Sequence, residues 1–270
     1  MNLRSRIKSL YKRLIFRLSA GNNPLFICYY RYLYRPPAGT IEEFTDIFSR
    51  NRKNVFVVQI GANDGINNDP IHKFIKRDHW SGVLLEPQKY VFEKFLQPLY
   101  RKTKGIITLN AALDRADGFK PVYKISLSNS RWATGLTSFN REVVERAVKS
   151  GYVARQAMKD GCKMPENPKD CIAEEKVECI SSESLIIKYG IHKIDWLQID
   201  TEGYDFEIIK MFRIDRYRPE VIIYENLHLS DEQKKECRKF LESHSYLTKD
   251  YGANTLAMLN PPDYLQRFFV

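Results

Sequence analysis

Val55-Phe56-Val57-Val58-Gln59-Ile60 runs straight into Gly61-Ala62-Asn63-Asp64-Gly65, and this junction decides the fold. A short β-branched and aromatic run closed by a glycine turn predicts a buried strand. Glycine tolerates positive φ and carries no Cβ, so a ligand can lie against the main chain there. A second apolar run, Gly82-Val83-Leu84-Leu85, ends in Glu86. That carboxylate follows Gly65 by about twenty residues, the place of the ribose-binding acid in a nucleotide-binding βαβ unit.

Outward from this unit, strands and helices alternate. Thr40 caps a helix through Phe48, with Glu43 at the capping-box position. Asp69-Pro70 predicts an N-cap and first helical position for a helix to about Arg77. A helix is expected near 88–102 and a third strand at Ile106–Leu109. Ile194–Ile199 and Val221–Tyr224 read as further strands, each followed by a helix (206–212 and 230–243). Tyr246–Thr248 and Thr255–Leu259 read as a closing pair. Residues 113–180 interrupt the rhythm, with a strand at 122–127, a helix at 140–150 and a loop at 161–170. An insert of this length in an α/β domain reads as a lid or recognition element.

The net charge of +10 is uneven. Eight basic residues and no acidic one precede Glu42, so the remainder carries only about +2. A near-neutral body argues against a nucleic-acid binder. Leu3, Ile7, Leu10, Leu14 and Leu18 recur at helical spacing among these basic residues. The expected organisation is a basic amphipathic extension over 1–39 and a domain over 40–270. The leucine face either packs on that domain or lies on a partner or anionic membrane surface through residues 1–35. No stretch approaches the roughly twenty apolar residues of a membrane span. The five cysteines are odd in number and lack metal-ligand spacing. Reduced thiols in a cytoplasmic or membrane-peripheral protein are the expectation.

Ligands of an open parallel sheet bind beyond the carboxyl ends of its strands. Those ends carry Gly61 to Asp64, Glu86, Asn110, Asp200 with Glu202, and Glu225 with His228. Glu86 suits the two hydroxyls of a ribose. Asn110 and Ala111 lie where an adenine edge would come, and an amide both donates and accepts. Asp64 is placed either to meet an ammonium group or to cap its own turn. Gln59, near the end of the first strand, offers a neutral amide. The loop is Gly-x-x-x-Gly, and acids at Asp64 and Asp69 would repel a pyrophosphate. They suit a cofactor bearing an ammonium and a sulfonium, which S-adenosylmethionine is.

The segments Val58-Gln59-Ile60-Gly61-Ala62-Asn63-Asp64-Gly65, Leu85-Glu86-Pro87, Asn110-Ala111-Ala112 and Asp195 to Asp205 resemble the FkbM family of S-adenosylmethionine-dependent methyltransferases, over about 55–259. The resemblance implies a class I methyltransferase Rossmann-like fold. That is a seven-stranded, mostly parallel sheet with helices on both faces, its last strand antiparallel. It also implies methyl transfer to an oxygen, often a hydroxyl of a sugar, glycan or natural product. Gln59 departs from the commoner acid at its position.

An alcohol acceptor must lose its proton, so a base or metal belongs near the methyl. Asp200 is the preferred base, with Glu225, His228 and Glu202 as neighbours. Asp200 and Glu225 could instead share a divalent cation. In the insert, Arg131, Trp132 and Thr137 are candidates to grip the acceptor, with Trp132 suited to stack on a sugar ring. Two rival readings are a nucleic-acid methyltransferase and a non-catalytic, membrane-peripheral scaffold that kept the nucleoside fold.

Overall fold

The computed structural model describes residues 3–270. Ten strands form two sheets: β1 (Phe56–Ile60), β2 (Ser81–Leu85), β3 (Ile106–Leu109), β4 (Ala112–Asp114), β5 (Gly118–Ile125), β6 (Ile172–Ser181), β7 (Trp196–Ile199), β8 (Val221–Glu225), β9 (Tyr246–Tyr251) and β10 (Asn254–Leu259). The main sheet has seven strands in the order β3-β2-β1-β7-β8-β10-β9. The β3-β2-β1-β7-β8 run is parallel, and β10 is antiparallel to both its neighbours. This is the expected mostly parallel α/β sheet, with the last strand reversed.

The central strands are buried on both faces, which is why they read as unbroken apolar runs. Successive residues of β1 alternate between two cores. Val57 meets Phe44, Phe48 and Trp196 on one side, while Val58 and Ile60 join Phe206, Ile209 and Leu241 on the other. The helices over 41–51, 72–78 and 89–100 cover the first face, and those over 182–188, 205–211 and 231–243 the second.

The chain leaves β1 toward β2 on one side of the sheet, and β7 continues to β8 on the other. The β1/β7 boundary is therefore the topological switch point, where such folds open a crevice. Here the Asp200 N–H donates to the Ile60 carbonyl at 3.0 Å. Gly61, at φ +79°, packs so closely that a Cβ would lie 1.8 Å from the Asp200 carbonyl oxygen.

Several local readings change. Pro70 lies before its helix, which spans His72–Asp78, yet Asp69 Oδ1 still accepts the N–H groups of Ile71 and His72 at 2.8 and 2.9 Å. The 89–100 helix contains a π turn at Phe92–Leu96. The insert is more ordered than expected. Its β5 pairs antiparallel with the long β6, β4 joins β6 in parallel, and helices span Arg141–Lys149 and Tyr152–Asp160.

At the N-terminus a helix spans Leu3–Ala20. Met1 and Asn2, within the expected 1–39 extension, lie outside the described residues, as does the side chain of Leu3. Ile7, Leu10 and Leu14 of the apolar stripe are exposed; Phe16 and Ala20 are what pack on the body. No helix among the described residues is long and apolar enough to cross a membrane.

Candidate active site

Two cavities open at the carboxyl ends of the strands, beneath the insert. The smaller, about 50 Å³, is lined by Gly61, Asn63, Glu86 and Thr137, among others. The larger, about 1240 Å³, is lined by Trp132, Glu225 and His228, with Arg146, Tyr152 and Arg155 from the two insert helices. Arg131, Gly135, Asp200 and Glu202 line both, so the cavities meet there, at the side chains of Arg131, Asp200 and Glu202.

Glu86 is buried at the end of β2. Its Oε2 accepts the Asn63 N–H at 2.8 Å, and its Oε1 accepts the Gln88 N–H at 2.8 Å. Burial pushes its pKa up to about 7 against these hydrogen bonds. Above it sits the turn Arg131–Gly135, whose Thr134 carbonyl accepts from Gln88 Nε2 at 2.8 Å and Asn63 Nδ2 at 3.3 Å. That turn is what reduces the smaller cavity to so little space.

At the ends of β7 and β8, His228 Nε2 stands 2.8 Å from Glu202 Oε2 and 3.9 Å from Glu225 Oε2. Asp200 Oδ1 and Glu225 Oε2 are buried without a hydrogen-bond partner. Burial raises the pKa values of Asp200, Glu202 and Glu225, the last to about 10; the Asp200 charge lifts Glu202 and Glu225 further, and the Glu202 charge lifts Glu225. Arg131 opposes all three rises. Burial also lowers His228. So dense a set of acids holds protons, or a cation, in place of full ionisation.

The group whose donor atoms converge within 4.8 Å is Glu202, Glu225 and His228. Asp200, expected to share a cation with Glu225, is not in it.

Of the remaining candidates, Gln59, Ala62, Asp64, Gly65, Asn110 and Ala111 line neither cavity. Asp64 is engaged by its own turn: Oδ1 accepts the N–H groups of Ile66 and Asn67, and Oδ2 accepts Asn67 Nδ2. Asn110 Nδ2 donates to the Glu86 and Pro87 carbonyls at 2.9 Å each, fixing the end of β2. Gln59 is buried and donates to Asp69 Oδ2 at 2.9 Å. Ala62 and Ala111 are core residues, and Gly65 packs on Leu96, Leu99 and Tyr100. Trp132 Nε1 donates to Asp160 Oδ2 at 2.6 Å, and Thr137 Oγ1 is buried and unpartnered.

Asp205 was missed as a site residue. It is fully buried and holds the 200–203 turn and the end of β8 together. Its place in an Asp-Thr-Glu-Gly-Tyr-Asp run was the available signal.

Residues 59–249 match the model of the methyltransferase FkbM domain. No curated protein matches the chain. Among solved structures, the methyltransferase FkbM from Methylobacillus flagellatus KT aligns at 12% identity and a TM-score of 0.47, over 93% of this chain and 60% of that one. This chain thus spans about 60% of that protein's length. The precorrin-6y C5,15-methyltransferase from Geobacter metallireducens GS-15 aligns at 11% identity and a TM-score of 0.38, over 81% of this chain and 85% of that one.

Proposed function

The chain belongs to the FkbM methyltransferase family, and from that premise we propose that it is an S-adenosylmethionine-dependent O-methyltransferase. Its acceptor is a hydroxyl of a sugar, a glycan or a related small molecule. The observation that supports this reading best is that Glu86 and Asp200, distant in sequence, line one cavity that joins a much larger one at Arg131, Asp200 and Glu202.

The donor set suits the cofactor. Buried acids favour a cation, and an ionised carboxylate has about four acceptor sites. Glu86 uses sites for the Asn63 and Gln88 N–H groups and keeps others for the ribose hydroxyls. The Gly61–Gly65 loop supplies the close main-chain wall; Asp64 closes the turn that follows it, and Gln59 holds Asp69 behind that turn. Asn110 and Ala111 act by fixing the turn after β2. A ligand of this size needs a few hundred Å³, so the Arg131–Gly135 turn withdraws when the cofactor enters.

When bound, S-adenosylmethionine supplies a methyl group on a cationic sulfur, open to in-line displacement by oxygen. Asp200 stands where the cavities meet and takes the proton of the acceptor hydroxyl. Its burial raises its proton affinity, which suits a general base. Glu225, held protonated by burial and its neighbours' charge, stands beside it, and the neutral His228 receives the proton next. Trp132, held by Asp160, presents a ring to a sugar face, while Arg131, Thr137 and Glu202 fix the acceptor's polar groups.

The convergence of Glu202, Glu225 and His228 favours a second reading of the proton step. These three would hold a divalent cation, and a Lewis acid there would lower the pKa of the acceptor hydroxyl.

The test measures thermal stabilisation by S-adenosylmethionine and transfer of labelled methyl to a panel of glycans. Glu86→Ala should abolish the stabilisation. Asp200→Ala should keep it and lower turnover by about 10²–10⁴-fold. Unchanged turnover in Asp200→Ala would refute the base. Loss of turnover on chelation, restored by Mg²⁺ or Mn²⁺, would select the metal reading.

A further inference from the structure

We propose that the helical stretch from Leu3 to Leu33 docks the protein on an anionic lipid bilayer. The inference is independent of the methyl-transfer reading. It starts from an inverted helix. Ile7, Leu10, Tyr11 and Leu14 stand at i, i+3, i+4 and i+7, the spacing of a buried stripe, yet they are 54–64% exposed. In the helix over 41–51 the corresponding stripe, Ile41, Phe44 and Phe48, is buried.

A second stripe follows on the Pro24–Leu33 helical segment. Leu25, Tyr29, Tyr32 and Leu33 are 50–78% exposed. Eight of the seventeen exposed large hydrophobic side chains among the described residues thus fall within the first 33 positions. Such clustering marks an interaction surface, whereas scattered singles do not.

The element is fastened to the body. Phe16 meets Phe95 edge-on at 6.2 Å between ring centroids. Asn22 accepts from Lys76 Nζ at 3.0 Å, and Arg31 donates to the Arg77 carbonyl at 2.7 Å. The exposed stripes therefore belong to the folded surface and are not a loose tail.

Charge selects the occupant. Eight basic residues and no acidic one precede Glu42, and Lys12, Arg13 and Arg17 are exposed beside the first stripe. A second copy of the chain would set two such faces against each other, and like charges would repel. An anionic bilayer satisfies both halves at once, taking the apolar side chains into its interface and the cations at its headgroups. Tyrosine suits that interface, with an apolar ring and a polar tip. Gly39, six positions after Leu33, lines the larger cavity. The cavity rim thus lies at most about 22 Å from the second stripe.

The test is vesicle co-sedimentation of the full chain. Binding to phosphatidylcholine vesicles containing about 30% phosphatidylglycerol should exceed binding to pure phosphatidylcholine by about ten-fold at about 0.1 M salt, and fall as salt rises. Leu10→Glu/Leu14→Glu and Lys12→Glu/Arg13→Glu should each lower it about ten-fold with an unchanged melting temperature. Three results would overturn the proposal. These are no excess on anionic vesicles, a loss confined to the charge variant, and a dimer in solution that Leu10→Glu/Leu14→Glu converts to monomer.

Discussion

Asp205 Oδ1 accepts the Glu225 N–H at 3.2 Å, so one side chain ties the turn after β7 to the end of β8. Its Oδ2 accepts the Thr201 hydroxyl at 3.0 Å and the Gly203 N–H at 3.3 Å. Asp200 and Glu202, at the junction of the cavities, and Glu225, in the larger one, all hang from backbone that Asp205 holds. Asp205→Ala strands these donors in a buried place. It should cost about 3 kcal/mol in urea denaturation, since each orphaned group costs on the order of 1–3 kcal/mol. Asp205→Asn keeps the shape and one accepting oxygen but turns the other into an NH2 donor, which orphans the Gly203 N–H, so its loss should be about 1–2 kcal/mol. Equal stability of wild type and Asp205→Ala would show that the network is idle.

The same burial dictates how stability follows pH. Glu86 rises from 4.5 to about 7 and Asp205 from 3.8 to about 7 on folding, both chiefly through desolvation. The folded chain keeps protons on these groups that the unfolded chain releases. Their contribution is full below the unfolded values and is lost as pH rises through about 7. His72 works in the opposite sense. Burial lowers it from 6.5 to about 3, so the unfolded chain gains a proton that the folded one refuses as pH falls below 6.5. The two acids outweigh the one imidazole between these limits. The melting temperature should therefore be higher at pH 5.5 than at pH 7.5 (a choice of about one unit either side of the unfolded His value). Asp205→Asn should flatten the slope, and a steeper slope in that variant would contradict it.

How much of this was legible depended on how local each cause is. The β1 strand and Glu86 announce themselves because a parallel strand buried on both faces leaves an unbroken apolar run, and the acid follows directly. β6 does not. Glu174, Lys176 and Glu178 take its outward face, but Glu175 breaks the inward row that Val177 and Cys179 continue, and its partner β5 lies some fifty residues earlier, so its pairing has no local signature. The roles of Asp64 and Asn110 were ambiguous because a short polar side chain serves a turn as readily as a ligand. The structure engages both in local hydrogen bonds. Arg146 and Arg155 reach the larger cavity only through the packing of two insert helices, which periodicity cannot show. Asp205 sat within a quoted motif, but its task depends on β8, twenty residues on.

Gly61 provides a sharp contrast with another glycine of positive φ. A Cβ at Gly61 would meet the Asp200 carbonyl oxygen at 1.8 Å, and that oxygen belongs to main chain that cannot turn aside. Gly61→Ala must part β1 from β7 at the switch point, with a cost above about 4 kcal/mol, in the range of severe backbone and packing defects. At Gly252, φ is +64° and nothing lies within 4 Å of the would-be Cβ. Gly252→Ala should cost only the left-handed strain of about 1–2 kcal/mol. Thermal melts of the two variants separate the cases, and similar losses would mean that the close approach at Gly61 relaxes freely.

The hold of Thr134 over the smaller cavity sets how readily a cofactor enters. Gln88 Nε2 gives the stronger clasp to the Thr134 carbonyl, at 2.8 Å against 3.3 Å from Asn63 Nδ2. A net hydrogen bond is worth about 1 kcal/mol, or about a five-fold change in an opening equilibrium. Gln88→Ala removes that clasp and the 3.2 Å bond from Nε2 to Glu86 Oε1, and leaves the Gln88 main-chain N–H on Glu86. Its association rate with S-adenosylmethionine should rise about five-fold if opening precedes binding. Trp132 lies on the turn that moves and reports the event by stopped-flow fluorescence. A slower association in Gln88→Ala would mean that the amide recruits the cofactor, and that the turn over Glu86 is no barrier to it.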